Sequence, residues 1–361
     1  MKKFTLILLL VGLVISPLHA QWYKGIAKGA RTRMQNIRRA AVKPLGVTTR
    51  QVERAVFRAG VSTPPTRVLK AARAMIPLRD RHPLGRLFSV KATAFVIEEI
   101  YEGKRYVWGV TASHYGYRRP AVPIKRFTYE PAPFLAQGHP RGNDVSIFRI
   151  PESVASQFEP LKLAQSSPEV GEGLFSLSFF DNAFQYTPGR KVLGTTPLRF
   201  TTTLNADLEI AREGECGSPL INKDGKVAGM VVGASYRRQI GYAVPVEQIR
   251  QLLRAYHEHN SSSIPLRLYG KEIFQLDINE AITRVAIKYK DGSLAEHTTF
   301  HREGLIDYEH LENLTDLSNA QEISLTIDRK PFQTSNEEFI PITRQITYNL
   351  QTKAVSMKML P

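Results

Sequence analysis

Three side chains of this 361-residue sequence carry the residue types that nucleophilic acyl chemistry needs: His114, Asp144 and Cys216. Cys216 is the only cysteine and lies in Gly214-Glu215-Cys216-Gly217-Ser218-Pro219-Leu220, just ahead of an apolar strand signal and an Asn222-Lys223-Asp224-Gly225 turn. Glycine permits a sharp bend at little steric cost, and such a bend can turn backbone N–H groups toward an oxygen that becomes negative. His114 closes the β-type run Tyr106-Val107-Trp108-Gly109-Val110-Thr111-Ala112-Ser113, and Asp144 stands before the apolar run Val145-Ser146-Ile147-Phe148. Taken singly, a strand-end histidine is an ordinary surface or structural residue and Asn143-Asp144 an ordinary turn. Taken together, in the chain order His, Asp, nucleophile, they fit a base, its orienting carboxylate and a thiol.

The heptapeptide around Cys216 resembles the GxSGGP nucleophile loop of chymotrypsin-fold (trypsin-like) proteases, with cysteine where serine stands and Ser218 in place of the second glycine. Thr111-Ala112-Ser113-His114 resembles the TAAH signature of that family, and Asp144 precedes a strand as the family's triad aspartate does. The continuation, Val227 to Val232, then Gly241-Tyr242-Ala243-Val244-Pro245 and a helix from Val246, is similar to the bacterial Deg/HtrA branch. The resemblance spans about Leu87 to His259 and implies two β-barrels facing each other across a cleft. His114 and Asp144 would come from the first barrel and Cys216 from the second. It further implies an oxyanion hole from the N–H groups of Gly214 and Cys216, and a primary specificity pocket floored by Ile210 and walled by Val231, Val232, Gly233 and Ala243. With no charge there to match, an apolar side chain before the cleaved bond is expected. Viral proteases of this fold that use cysteine show that the thiol is compatible with activity.

Around this unit the chain divides further. Met1 to Ala20 has Lys2 and Lys3, an apolar run from Leu6 to Ile15 and a small residue before Gln21, which reads as a cleaved secretory signal. The mature protein is therefore expected in the periplasm or outside the cell, where a lone cysteine has no internal disulfide partner. The net charge of +16 is concentrated in residues 21–86, which carry sixteen Lys or Arg against Glu53 and Asp80. This basic segment reads as short helices. Thr48 and Gln51 fit a capping box ahead of a Val52, Val56 and Phe57 stripe that stops at Gly60. Pro64-Pro65 opens a second helix with Val68, Leu69, Ala72, Met75 and Ile76 on one face. Such helices suit anionic membrane, lipopolysaccharide or nucleic acid, a removable pro-segment, or simple solvated faces docked on the core.

Val246 to His259 reads as a closing helix with Val246, Ile249, Leu252, Leu253 and Tyr256 on one stripe. His257 and His259 near its end are expected at the surface, not as metal ligands, and neither a metal nor another cofactor is expected. Asn260 to Ser263 reads as a linker. Beyond it, runs at 281–289, 322–327 and 344–350 alternate at strand period and predict a small antiparallel β domain over 260–361. This domain lacks the carboxylate-binding loop of the PDZ modules usual in the Deg/HtrA branch. The fold expected is therefore mainly β: a double barrel over 87–259, preceded by basic helices and followed by the β domain. Three functions compete: an exported endopeptidase acting on protein or peptide substrates, a catalytically inactive protease-fold protein acting as a peptide-binding or envelope-associated scaffold, and a basic envelope- or nucleic-acid-binding protein.

Overall fold

The computed structural model describes residues 47–78, 92–116, 121–125, 128–131, 134–150, 152–180, 183–195, 199–204, 214–235, 238–259, 262–268, 271–298, 317–330 and 342–360. The expected signal, residues 21–46 and 79–86 of the basic segment, and Ile210 lie outside the described residues.

Among the described residues, helices α1 (Thr49–Arg58) and α2 (Thr66–Ala72) come first. At the start of α1, Thr48 Oγ1 accepts from the Gln51 N–H at 3.3 Å and Gln51 Oε1 accepts from the Thr48 N–H at 2.9 Å. Two donors that the helix cannot satisfy internally are thereby paired. The buried face of α1 is Val52, Ala55 and Val56. Phe57, expected on that stripe, falls one position off it and is 76% exposed. Two of the exposed basic side chains here also reach other elements. Arg67 donates to the Lys223 carbonyl at 3.1 Å and covers the Phe175 ring, and Arg73 pairs with Glu159.

Met75 and Ile76, expected at the end of α2, instead open strand β1 (Met75–Leu78). Pro77 lies directly after them, and a residue before proline is driven from the helical region to extended backbone. β1 pairs with β2 (Ala92–Tyr101), across the boundary expected near residue 87. β3 (Lys104–Thr111) follows, then one helical turn, α3 (Ser113–Gly116), the hairpin β4 (Ala121–Lys125) and β5 (Thr128–Pro131), β6 (Phe134–Gln137) and β7 (Ser146–Arg149). Among the described residues these make a five-stranded antiparallel sheet in the order β1-β2-β3-β7-β6, where a closed barrel was expected.

After the short α4 (Glu152–Ala155), the second half does close. β8 (Gly173–Phe180), β9 (Ala183–Thr195), β10 (Phe200–Thr203), β11 (Pro219–Ile221), β12 (Val227–Ser235) and β13 (Ile240–Pro245) form a six-stranded barrel in the order β10-β13-β12-β11-β8-β9. One continuous core joins this barrel to the first sheet, with Phe95, Val110 and Ile147 on one side and Leu177, Ile221 and Met230 on the other.

α5 (Val246–Glu258) closes the unit with Val246, Ile249, Leu252 and Leu253 buried. His257 corrects the expectation of a surface residue. Its ring is 6% exposed, lies 2.9 Å from Glu99 and stacks on Tyr101 at 4.0 Å, so it ties the helix end to β2. His259 is an exposed left-handed cap with φ +51.

Ser262 and Ser263, expected in a linker, belong to β14 (Ser262–Leu268), which pairs with β15 (Lys271–Asp277). The three alternating runs are the central strands β16 (Glu280–Tyr289), β18 (Ala320–Arg329) and β19 (Ile342–Asn349). With β17 (Leu294–Thr298) and β20 (Val355–Leu360) they make a second five-stranded sheet, ordered β17-β16-β18-β19-β20, around its own core of Ile282, Val285, Leu325 and Ile346.

Candidate active site

His114 sits on the single turn α3, where β3 ends. Its backbone N–H donates to Asp144 Oδ1 at 2.8 Å and its Nδ1 meets Asp144 Oδ2 at 2.7 Å. A carboxylate only accepts, so Nδ1 carries the proton and Nε2 is left to face the thiol. The Asp144 side chain is 4% exposed against 39% for His114, which places the carboxylate inside and the imidazole at the opening. Burial pulls the His114 pKa down. The charges of Asp144 and of a Cys216 thiolate, with a hydrogen bond to each, outweigh it and set the pKa well above the ordinary 6.5. The three residues singled out in the sequence thus converge from β3–α3, the 138–145 loop and the barrel.

The loop that carries Cys216 is held by groups that the sequence did not single out. Thr93 on β2 is wholly buried. Its Oγ1 donates to the Gly214 carbonyl at 2.6 Å and accepts from the Phe179 N–H at 2.9 Å, while its N–H donates to the Cys216 carbonyl at 3.0 Å. Thr111, three residues before His114, donates to the Thr93 carbonyl at 2.8 Å. One hydroxyl therefore joins the histidine sheet, the barrel and the loop. A polar residue within the apolar run 92–97 was its only trace in the sequence.

The glycines have the reasons expected of a bend. Gly217 has φ +86 and a Cβ there would overlap the Thr93 carbonyl; Gly214 has φ +119 and a Cβ would overlap the Phe179 carbonyl. From the barrel side, Glu215 pairs at 3.4 Å with Arg190 of β9, whose side chain is 4% exposed. The N–H groups of Gly214 and Cys216 engage no acceptor among the described residues. Cys216 Sγ, half-buried, lies 3.6 Å from the Val232 carbonyl.

The residues expected to line the specificity pocket divide. Val232 and Gly233 are half-buried on β12, and the Val232 carbonyl lies beside Cys216. Val231 and Ala243 are buried in the barrel core with Phe200 and Leu220, so they support the wall from behind. Ile210 lies outside the described residues.

Thr93→Val is expected to leave the Gly214 carbonyl and the Phe179 N–H without their partner, each at about 1–3 kcal/mol. Denaturant unfolding should register the loss, and Thr93→Ser, which keeps the hydroxyl, should recover most of it. Equal stability of the Val variant and the parent would remove the hydroxyl from this role.

No family model matches the chain, and no curated protein matches it. Among solved structures, the inactive form of the Rv3671c protease is 19% identical, with 53% of this chain and 92% of that one covered and a TM-score of 0.40; the active form, from M. tuberculosis, is 20% identical over 51% and 81%, at 0.38. The serine endoprotease from Yersinia pestis is 13% identical over 82% of this chain and 97% of that one, at 0.44. Likeness at this level transfers no activity to this chain.

Proposed function

We propose that this protein is an endopeptidase that hydrolyses peptide bonds through a covalent thioester on Cys216. The observation that carries the reading is His114 held between a buried carboxylate and the only thiol in the chain. Asp144 keeps the imidazole proton on Nδ1, and Nε2 takes the proton of Cys216 to give a thiolate and an imidazolium. The thiolate attacks the carbonyl carbon of a peptide. The C–S bond forms and the carbonyl π pair moves to oxygen, toward the N–H groups of Gly214 and Cys216. As the tetrahedral adduct collapses, the C–N bond breaks and the imidazolium gives its proton to the departing amine. Water then attacks the thioester, His114 accepts a proton from it, and the C–S bond breaks to restore the thiolate. The energetic advantage of a thiol is that it ionises more readily than a hydroxyl, so the base has less to do.

The test needs no knowledge of the natural substrate. Alkylation of Cys216 by iodoacetamide, followed by intact mass from pH 5 to 9, is expected to be fast well below the ~8.5 pKa of a free thiol and to slow sharply in His114→Ala. Slow reaction in both proteins, rising only as an ordinary thiol ionises, would overturn the proposal and favour a peptide-binding scaffold.

A further inference from the structure

The loop that delivers Asp144 is gripped from outside the catalytic unit. On the catalytic side, Ser113 donates to the Gly138 carbonyl, the Gly138 N–H donates to the Val145 carbonyl at 2.8 Å, and Asn143 Nδ2 donates to the Gln248 carbonyl of α5 at 3.0 Å. On the far side the loop meets the C-terminal sheet. The His139 N–H donates to the Ile278 carbonyl at 3.1 Å, and His139 Nε2 lies 3.2 Å from Asp328 Oδ2 on β18. A Cβ on Gly142 would stand 2.8 Å from the Glu280 carbonyl, so the two surfaces are in close contact there as well.

The proton on His139 can be placed. Nδ1 accepts from the Arg141 N–H at 3.0 Å, so in the neutral ring Nε2 carries the hydrogen and donates it to Asp328. The His139 side chain is 2% exposed. Burial keeps its pKa low, and the hydrogen bond from His139 is the leading cause that holds the Asp328 carboxylate below its usual range. The other charged groups at this contact are Arg141 on the loop and Lys330, whose Nζ lies 3.3 Å from Asp328. A buried neutral histidine sealed against a carboxylate five residues before Asp144 does no chemistry on a substrate. It fixes where the loop lies.

We infer that the C-terminal sheet is part of the catalytic apparatus: Asp328 and the Ile278 carbonyl hold His139, and through the 138–145 loop they position Asp144 against His114. Asp328 and His139 are positioning residues, and the inference rests on the triad reading only for its catalytic consequence.

Two measurements on the full-length protein test it. The first is hydrogen exchange of peptides covering 138–145, which reports the grip whether or not the triad functions. The second is the pH profile of Cys216 alkylation by iodoacetamide, which a merely structural contact would leave unmoved. In Asp328→Ala, exchange in 138–145 is expected to quicken several-fold and alkylation near pH 6.5 to slow by about fivefold or more, while unfolding stays cooperative. Asp328→Asn, which keeps an acceptor for Nε2–H, should recover most of both. Gly142→Ala, which pushes the sheet away without touching Asp328, should shift both in the same direction and provides the test if Asp328→Ala fails to fold. Exchange and alkylation both unchanged in Asp328→Ala and Gly142→Ala would overturn the inference. Faster exchange with an unchanged, His114-dependent alkylation profile would overturn its catalytic half. If parent alkylation does not depend on His114, the triad reading has failed, and exchange alone decides whether the sheet holds the loop.

Discussion

Asp144→Ala is expected to slow alkylation of Cys216 at pH 6.5 by roughly 10²-fold, within the range that a positioned acid or base contributes. The parent His114 proton is held by four favourable influences against one unfavourable one: the Asp144 charge, the Cys216 charge and a hydrogen bond to each, against burial. Removing the carboxylate leaves burial in place and takes away the largest opposing influence, so the pKa falls. Less of the imidazolium that would pair with a thiolate is then present at a given pH. The sign follows: the deficit is large near pH 6.5 and closes as the pH passes ~8.5, where a free thiol ionises unaided. Asp144→Asn is informative beside it. Its oxygen can still accept from Nδ1–H, but the amide can equally donate and hold the wrong tautomer, so its rate should fall between alanine and parent. Folding stability carries the same signature. A raised histidine pKa stabilises the fold fully below about 6.5 and less as the pH rises through the folded value. The stability gap between parent and Asp144→Ala should therefore narrow above neutrality. Superimposable alkylation profiles for Asp144→Ala and the parent would remove Asp144 from the site.

What the sequence made legible, and what it hid, follows from the range of the interactions. The bend at Gly214 to Gly217, the strand before His114 and the capping box at Thr48 are encoded by neighbours a few residues apart, and a reader of the chain can find them. Thr93 grips a carbonyl 121 residues away, and His139 meets a carboxylate 189 residues away. Nothing local marks either pairing. The burial of His257 is hidden for the same reason, since its partners Glu99 and Tyr101 come from β2. Met75 and Ile76 failed differently. Their apolar phase continued that of α2, and a run of four residues is too short for period alone to separate helix from strand. Pro77 was the signal that decided it. The resemblance implies a specificity wall with Val231 and Val232 side by side, but alternate residues of a strand face opposite sides: Val231 is buried in the barrel core, and Val232, half-buried, packs against the core shared with the first sheet.

The strand formed by Met75–Leu78 also decides what can be removed from the basic segment. A variant lacking residues 21–46 is expected to retain the parent's cooperative unfolding and thiol reactivity, whereas one lacking residues 21–86 is expected not to fold. The second deletion strips β1 from the sheet that carries His114, exposing Phe95 and Ala94 along its former partner strand. It also removes the fully buried Met75, Ile76 and Leu78 and the helix residues Val52, Val56 and Val68, which share one core with Val110 and Ile147. At about 1.5–3 kcal/mol for each large apolar side chain buried, the loss of six such residues is comparable with the 5–15 kcal/mol that holds a typical domain together. Residues 47–78 are thus structural, and any removable pro-segment must end before them. Calorimetry or thermal circular dichroism on the two variants separates these outcomes. A parent-like transition in the chain lacking 21–86 would show that β1 and the two helices are dispensable, and the basic segment as a whole would again qualify as a detachable arm.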